Sequence, residues 1–107
     1  MEVNNPKTIE IREGKKIHII ELNRISYFEA AGKQTRVYFP DKTFILSTRM
    51  LKHYHDQLHK KGFYRIHRKT LINIDHIEKY DPKTGQVTLY SEPVPLIHYG
   101  GLSDAVN

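Results

Sequence analysis

His55 and His59 lie four residues apart in a segment of helical periodicity, so their imidazoles share one face at a spacing that can hold a transition metal. His53 falls on another side of that turn. Two imidazoles without a carboxylate or thiolate placed to join them make an incomplete site, and an exposed helix face accounts for them; no metal and no cofactor is expected. The chain has no cysteine. That removes disulfide frameworks, thiolate zinc sites and cysteine nucleophiles together, and fits a reducing compartment. Gly32-Lys33 has the look of a phosphate loop. The earlier glycine position holds Tyr27, however, and neither Ser nor Thr directly follows the lysine. No nucleophile elbow, dinucleotide fingerprint or zinc-protease helix occurs, so catalytic residues are expected to be none and the chain is read as no enzyme.

Charge is more informative. Lys and Arg outnumber the acids 17 to 12, for a net charge of +5 and a pI near 9.5, which favours polyanionic partners. Between Asp56 and Asp75 there is no acid, while Lys60, Lys61, Arg65, Arg68 and Lys69 fall in that window with His59 and His67. A solvated surface is the plain alternative for such a block. The segment Gly62-Phe63-Tyr64-Arg65-Ile66-His67-Arg68-Lys69-Thr70-Leu71-Ile72-Asn73 narrows the choice. Phe63, Ile66, Leu71 and Ile72 can anchor a strand and turn, while Arg65, His67, Arg68, Lys69 and Asn73 supply donors. Donors on an anchored loop suit phosphates and base edges, because the arginine fork grips guanine or phosphate with two hydrogen bonds.

The elements that must hold these donors are mostly strands. Short β-favouring segments run over 8–11, 17–21, 25–29, 35–39, 43–46, 64–66, 77–80, 87–90 and 94–97. Turn chemistry separates them: Glu13-Gly14, Pro40-Asp41 and the run Asp81-Pro82-Lys83-Thr84-Gly85. The spacing predicts antiparallel hairpins, since a parallel sheet needs a helix after nearly every strand. Only 47–61 breaks the pattern. There Met50, Leu51, Tyr54 and Leu58 recur at helical spacing, Ser47 or Thr48 can cap the start, and Gly62 stops the helix. That helix lays an apolar stripe on the sheet and shows Lys52, His53, His59 and Lys60 elsewhere. The fold class expected is mostly β, with one main packing helix, in a single domain over 1–107. The first residues lack the apolar stretch of a secretory signal and no run is long enough to span a bilayer, so no membrane partner and a cytoplasmic location are expected.

The central segment resembles the signature of the LytTR DNA-binding family, in which Phe-x-Arg-x-His-Arg-Ser followed by Val-Asn ends one strand and begins the next. Ile25-Ser26-Tyr27-Phe28-Glu29 is similar to that family's early strand, 51–58 to its single helix, and 73–77 to its next strand entry. The resemblance covers about 7–99. It implies an elongated antiparallel β fold that reads double-stranded DNA with loops in successive major grooves, without a recognition helix. It also implies a place behind a receiver domain as the effector module of a bacterial response regulator. By that resemblance the base-edge candidates are Gln34, Thr35 and Arg36 in the loop after Glu29, with His67 and Arg68 in the central motif. Phosphate candidates are Lys33, Arg65, Lys69, His98 and Tyr99. A histidine bonded to a neighbouring backbone carbonyl is the alternative for His67, and local backbone bonding the alternative for Asn73.

The sequence also departs from the family pattern. Lys69 stands where Ser is usual, Thr70 where an aromatic is usual, and Pro95-Leu96-Ile97-His98-Tyr99 where a Pro-Val-Ser-Arg-Arg type run is usual. The expected function is sequence-specific duplex DNA binding within a transcription regulator, with a receiver domain and a second copy on repeated sites as further partners. The altered Ile97-His98-Tyr99 run favours a second reading, a LytTR-like β domain kept as a protein-interaction module. A third, single-stranded nucleic acid binding, would use Tyr38, Phe39 and Tyr64, whose neighbours read as core.

Overall fold

The structure is a computed structural model and describes residues 7–90 and the backbone of 96–99. The described strands form a five-stranded central sheet, a two-stranded hairpin and a three-stranded sheet. The described strands are β1 (Thr8–Glu13), β2 (Lys16–Glu21), β3 (Tyr27–Ala31), β4 (Gln34–Tyr38), β5 (Phe44–Ser47), β6 (Phe63–His67), β7 (Thr70–Asn73), β8 (Ile77–Asp81), β9 (Gln86–Leu89) and β10 (Leu96–Tyr99). One helix, α1 (Leu51–Leu58), follows β5, and short 3-10 turns occupy Leu22–Arg24 and Ile74–His76. The central sheet has the order β5-β4-β3-β7-β6; β1 pairs with β2, and β8, β9 and β10 form a third sheet. Every pairing is antiparallel, as the short connections require.

Side-chain alternation sends adjacent residues of one strand to opposite faces and so builds two cores. Phe28, Val37 and Leu71 face α1, where Leu51, Tyr54 and Leu58 meet them together with Ile9 and Ile11 of β1. Their neighbours Tyr27 and Ile72 face the other way and pack with Ile66, Val87 and Leu89. Each fully buried side chain of this kind contributes about 1.5–3 kcal/mol relative to exposure. Among the described residues no helix is long and apolar enough to cross a membrane.

The helical stripe is borne out at Leu51, Tyr54 and Leu58, but the helix is shorter than 47–61. Met50 is 55% exposed and is the N-cap rather than part of the stripe. Neither Ser47 nor Thr48 caps. Ser47 ends β5, where its hydroxyl bonds the Tyr54 hydroxyl and accepts the Arg49 N–H at 3.1 Å. Thr48 donates its N–H to the Arg12 carbonyl at 2.8 Å. Tying β5 to β1 and to the buried face of α1 satisfies these groups inside the fold, whereas a cap would satisfy one helix N–H that water reaches anyway.

β7 is the strand that the segment pattern omits. All four of its residues are buried, and it sits between β3 and β6, so it shows no polar alternation. The turns are borne out. At Pro40-Asp41 the Asp41 carboxylate accepts the Thr43 hydroxyl at 2.6 Å and its N–H at 3.0 Å, which holds that carboxyl below the ordinary carboxylate range.

Candidate nucleic-acid interface

Strand register decides which turns meet. β3 leads up into the turn Gly32-Lys33, and β7 leads down from the turn Arg68-Lys69. Because β3 and β7 are antiparallel neighbours with Glu29 opposite Thr70, both turns lie at the same end of the sheet. The Ala30 N–H donates to the Lys69 carbonyl at 2.8 Å and joins one turn to the other. Gly32 has φ +64°, a left-handed conformation that a side-chain-bearing residue adopts only with strain, and it makes the tight reversal possible.

The same register brings further cations to this end. Thr35 lies opposite Ser47, so Arg49 leaves β5 there, and the Thr48 bond to the Arg12 carbonyl adds the end of β1 with the Gly14-Lys15 turn and Lys16 at the start of β2. Arg12, Lys15, Lys16 and Arg49 were not reached by sequence reasoning. They are scattered along the chain, and only the even hairpin spacing, which returns alternate turns to one end, carried any signal.

The side chains expected to touch DNA divide into free and engaged groups. Lys33, Gln34, Arg68 and Lys69 are exposed, and none of their side chains makes a hydrogen bond or ion pair within the described structure. Arg36 is half-exposed. Its guanidinium lies 3.5 Å from the Glu29 carboxylate and 5.9 Å from the centre of the Phe44 ring. Thr35 departs from the base-edge expectation: it is fully buried and donates its hydroxyl to the Arg49 carbonyl at 2.8 Å. Alternation along β4 turns Thr35 and Val37 to the α1 side, leaving Gln34 and Arg36 on the other. Thr35 therefore sets the path of the chain at Arg49.

Arg65 is also engaged. Its Nε and one terminal nitrogen both donate to the Arg68 carbonyl, at 3.1 and 2.5 Å. His67 is exposed, and its Nδ1 accepts the Lys69 N–H at 3.2 Å, where the alternative reading foresaw a bond to a carbonyl. An accepting Nδ1 carries no proton, so the neutral ring bears its proton on Nε2 and offers a donor to solvent. The backbone of His98 and Tyr99 pairs with Val87 and Gln86 in β10, while their side chains lie outside the described residues.

Asn73 takes the structural role allowed for it. Its amide donates to the Leu22 and Ile25 carbonyls at 3.3 and 2.9 Å, and its oxygen accepts the Asp75 N–H at 3.0 Å. His55 and His59 stack with ring centres 5.0 Å apart, but among the described residues no group of three or more His, Asp or Glu is placed to hold a metal. Of the aromatics considered for single strands, Tyr38 stacks on Tyr27 at 4.4 Å and Phe39 packs against the first core, while Tyr64 stands on β6, an edge strand of the sheet. They form no shared open platform.

Comparison with known proteins agrees with this geometry. The family model described as LytTr DNA-binding domain matches residues 15–96. The sensory transduction protein LytT of Oceanobacillus iheyensis is 28% identical over 83 residues, covering 76% of this chain and 34% of that protein. The chain thus spans about a third of the length of that curated relative. A solved LytTr DNA-binding domain from Bacillus cereus superposes with a TM-score of 0.64 at 20% identity, covering 89% of this chain and 88% of the other, and shares its fold. A family match over most of the described strands, on a sheet whose end gathers two basic turns, places this chain in the LytTR DNA-binding domain family.

Proposed function

We propose that this chain binds duplex DNA as the effector module of a bacterial transcription regulator, presenting its two joined basic turns to a major groove and its flanking cations to the phosphates on either side. The observation that carries this reading is the Ala30 to Lys69 bond, which makes the turns one surface. Their outer legs, β4 and β6, are three strand spacings apart, roughly 14 Å. A major groove is about 12 Å wide. The pair therefore serves one groove. The next groove face lies about 34 Å along the duplex, beyond the reach of these two turns.

Arg68, Gln34 and the Nε2 donor of His67 are the base-edge candidates, with Arg36 beside them once it leaves Glu29. Lys33 and Lys69 supply phosphate contacts, because an ammonium acts as a point charge with little directional information, and Arg12, Lys15, Lys16 and Arg49 flank them as further phosphate contacts. Residence in the cytoplasm, a receiver domain elsewhere in the regulator and repeated DNA sites belong to the same proposal, and the sensory transduction named for the LytT relative is in keeping with a signal-dependent regulator.

The test is titration of the protein against a pool of random duplexes, with sequencing of what is retained and affinity followed against salt. Contact of about five of these six cations with phosphate implies a log-log slope on the order of −4 to −5. A retained consensus with that slope is expected. Retention of no duplex would leave the protein-interaction reading, which the Ile97-His98-Tyr99 run favours.

A further inference from the structure

Among the described residues the first hairpin has an edge that no strand covers, and its chemistry is complementary to itself. Among the described residues β2 pairs with β1 alone. Arg12 of β1 turns both backbone groups away from β2: its N–H donates to the Tyr54 hydroxyl at 3.2 Å and its carbonyl accepts the Thr48 N–H. Ile17 is the partner of Arg12, so this is a non-hydrogen-bonded pair and Ile17 also turns its N–H and C=O outward. By the two-residue repeat of a strand, Ile19 and Glu21 do the same. The open edge thus offers three residues' worth of unpaired backbone. Its outward side chains include Ile17, 46% exposed, and Ile19, 61% exposed, the latter the most exposed large apolar side chain described.

We propose that β2 pairs antiparallel with β2 of a second copy across a two-fold axis. Such an axis stands perpendicular to the sheet, and outward-turned residues must face one another. Three registers keep both isoleucines in the ladder, and the one in which Ile17 faces its own copy sets Ile19 against Lys15 of the partner subunit, an apolar side chain against an ammonium; two remain. In one, Ile17 faces Ile19 of the partner subunit twice over, His18 faces its own copy at the axis, and Lys15 meets Glu21 of the partner subunit at both ends. In the other, Ile17 faces Glu21 of the partner subunit, an apolar side chain against a carboxylate. The first register closes four isoleucines into one strip and places a cation opposite each terminal acid. It is the register adopted.

A pair of short strands buries less than the ~1,000 Å² of a stable interface, so the dimer is weak and forms at high local concentration. The geometry carries a further consequence. β2 runs away from the basic end of the molecule, and antiparallel pairing reverses it, so the two basic ends point apart and one dimer engages two separate stretches of duplex.

The experiment uses the intact chain, which lacks cysteine, so single cysteines report the register without background. Directly opposed residues of a non-hydrogen-bonded pair have Cα atoms about 4.5 Å apart, within the range a disulfide spans. Under mild oxidation His18→Cys is expected to form a disulfide dimer and Ile19→Cys is not. Sedimentation of the unaltered protein from micromolar to millimolar concentration is expected to show a reversible monomer–dimer equilibrium. Lys15→Glu should weaken it about fivefold and Lys15→Glu combined with Glu21→Lys should restore it, each variant first shown to be folded by circular dichroism. A monomer throughout that range, equal crosslinking of the two cysteine variants, or failure of the charge exchange to restore dimerisation would overturn the proposal. A monomer that crosslinks at neither position would leave the edge to a strand of another protein. Duplex affinity measured on the reduced His18→Cys and Ile19→Cys variants keeps the outcome separate from the DNA reading; the Lys15 variants, which also alter a phosphate candidate, are read by sedimentation without DNA.

Discussion

Arg65 holds the carbonyl of Arg68 in a two-pronged grip, so the residue that carries the freest guanidinium of the second turn is itself fixed from behind by another arginine. Arg65→Ala is expected to loosen the turn and lower affinity for the preferred DNA site about fivefold, on the order of the ~1 kcal/mol that such an exposed bond contributes. Because Arg65 acts on the turn, the salt slope should stay the same. A slope reduced by about one unit would identify Arg65 as a phosphate contact after all.

Arg68 and Lys33 stand at the tips of the two joined turns and should separate cleanly. Arg68→Ala is expected to cost about 1 to 3 kcal/mol on the preferred site and much less on random duplex. Lys33→Ala should lower affinity for both by similar factors and reduce the salt slope by about one unit. Equal losses on specific and random DNA for Arg68→Ala would make it a phosphate clamp.

Asn73 binds three backbone groups, the carbonyls of Leu22 and Ile25 and the N–H of Asp75. Asn73→Ala removes all three bonds, although the Leu22 carbonyl still accepts the Ile25 N–H at 3.1 Å, and should destabilise the fold by about 2 kcal/mol, read as a lower midpoint in urea unfolding. DNA affinity per folded molecule should not change, since the site lies at the far end of the sheet from the basic turns.

Burial pushes the Tyr27 hydroxyl up from the ordinary tyrosine range, and Tyr38 and Glu29 beside it push in the same direction. The neutral phenol is therefore favoured by the fold. Its contribution is complete below the ordinary pKa of about 10 and is lost as pH rises past that value. Thermal midpoints of the unaltered protein should fall between about pH 9 and 12, and Tyr27→Phe should flatten that fall. Identical slopes for the two would assign the alkaline loss to other groups.

The stacked pair His55 and His59 should hold no stoichiometric metal. Elemental analysis of the purified protein and a chelator titration test this directly, with unchanged thermal stability and unchanged DNA affinity as the expected result.

The sequence made the hairpins legible because each turn carries its own chemistry, as at Asp41 and Gly85, and it made α1 legible because Leu51, Tyr54 and Leu58 repeat at the helical period. β7 was illegible as a strand for the opposite reason. Thr70, Leu71, Ile72 and Asn73 are buried on both faces, which removes the alternation that marks a half-solvated strand. Ser47 offered a plausible cap, but a tertiary partner, the Tyr54 hydroxyl, competed for it. Thr35 shows the limit of carrying a role over by position: its place in the loop was clear, while the parity that turned it inward became clear only from the pairing of β4 with β5. The joining of the two turns depends on β3 meeting β7, a contact between residues some forty positions apart that no local pattern encodes.

Among the described residues the side chains of Lys33, Gln34, Arg68 and Lys69 make no hydrogen bond or ion pair, while the turns that carry them are shaped by backbone bonds and by Gly32. Substitutions at such positions usually shift stability by no more than about 0.5 kcal/mol. On the proposed reading, folding and DNA contact are therefore assigned to different residues, and the surface offered to a duplex can change through these four side chains without compensating changes in the core.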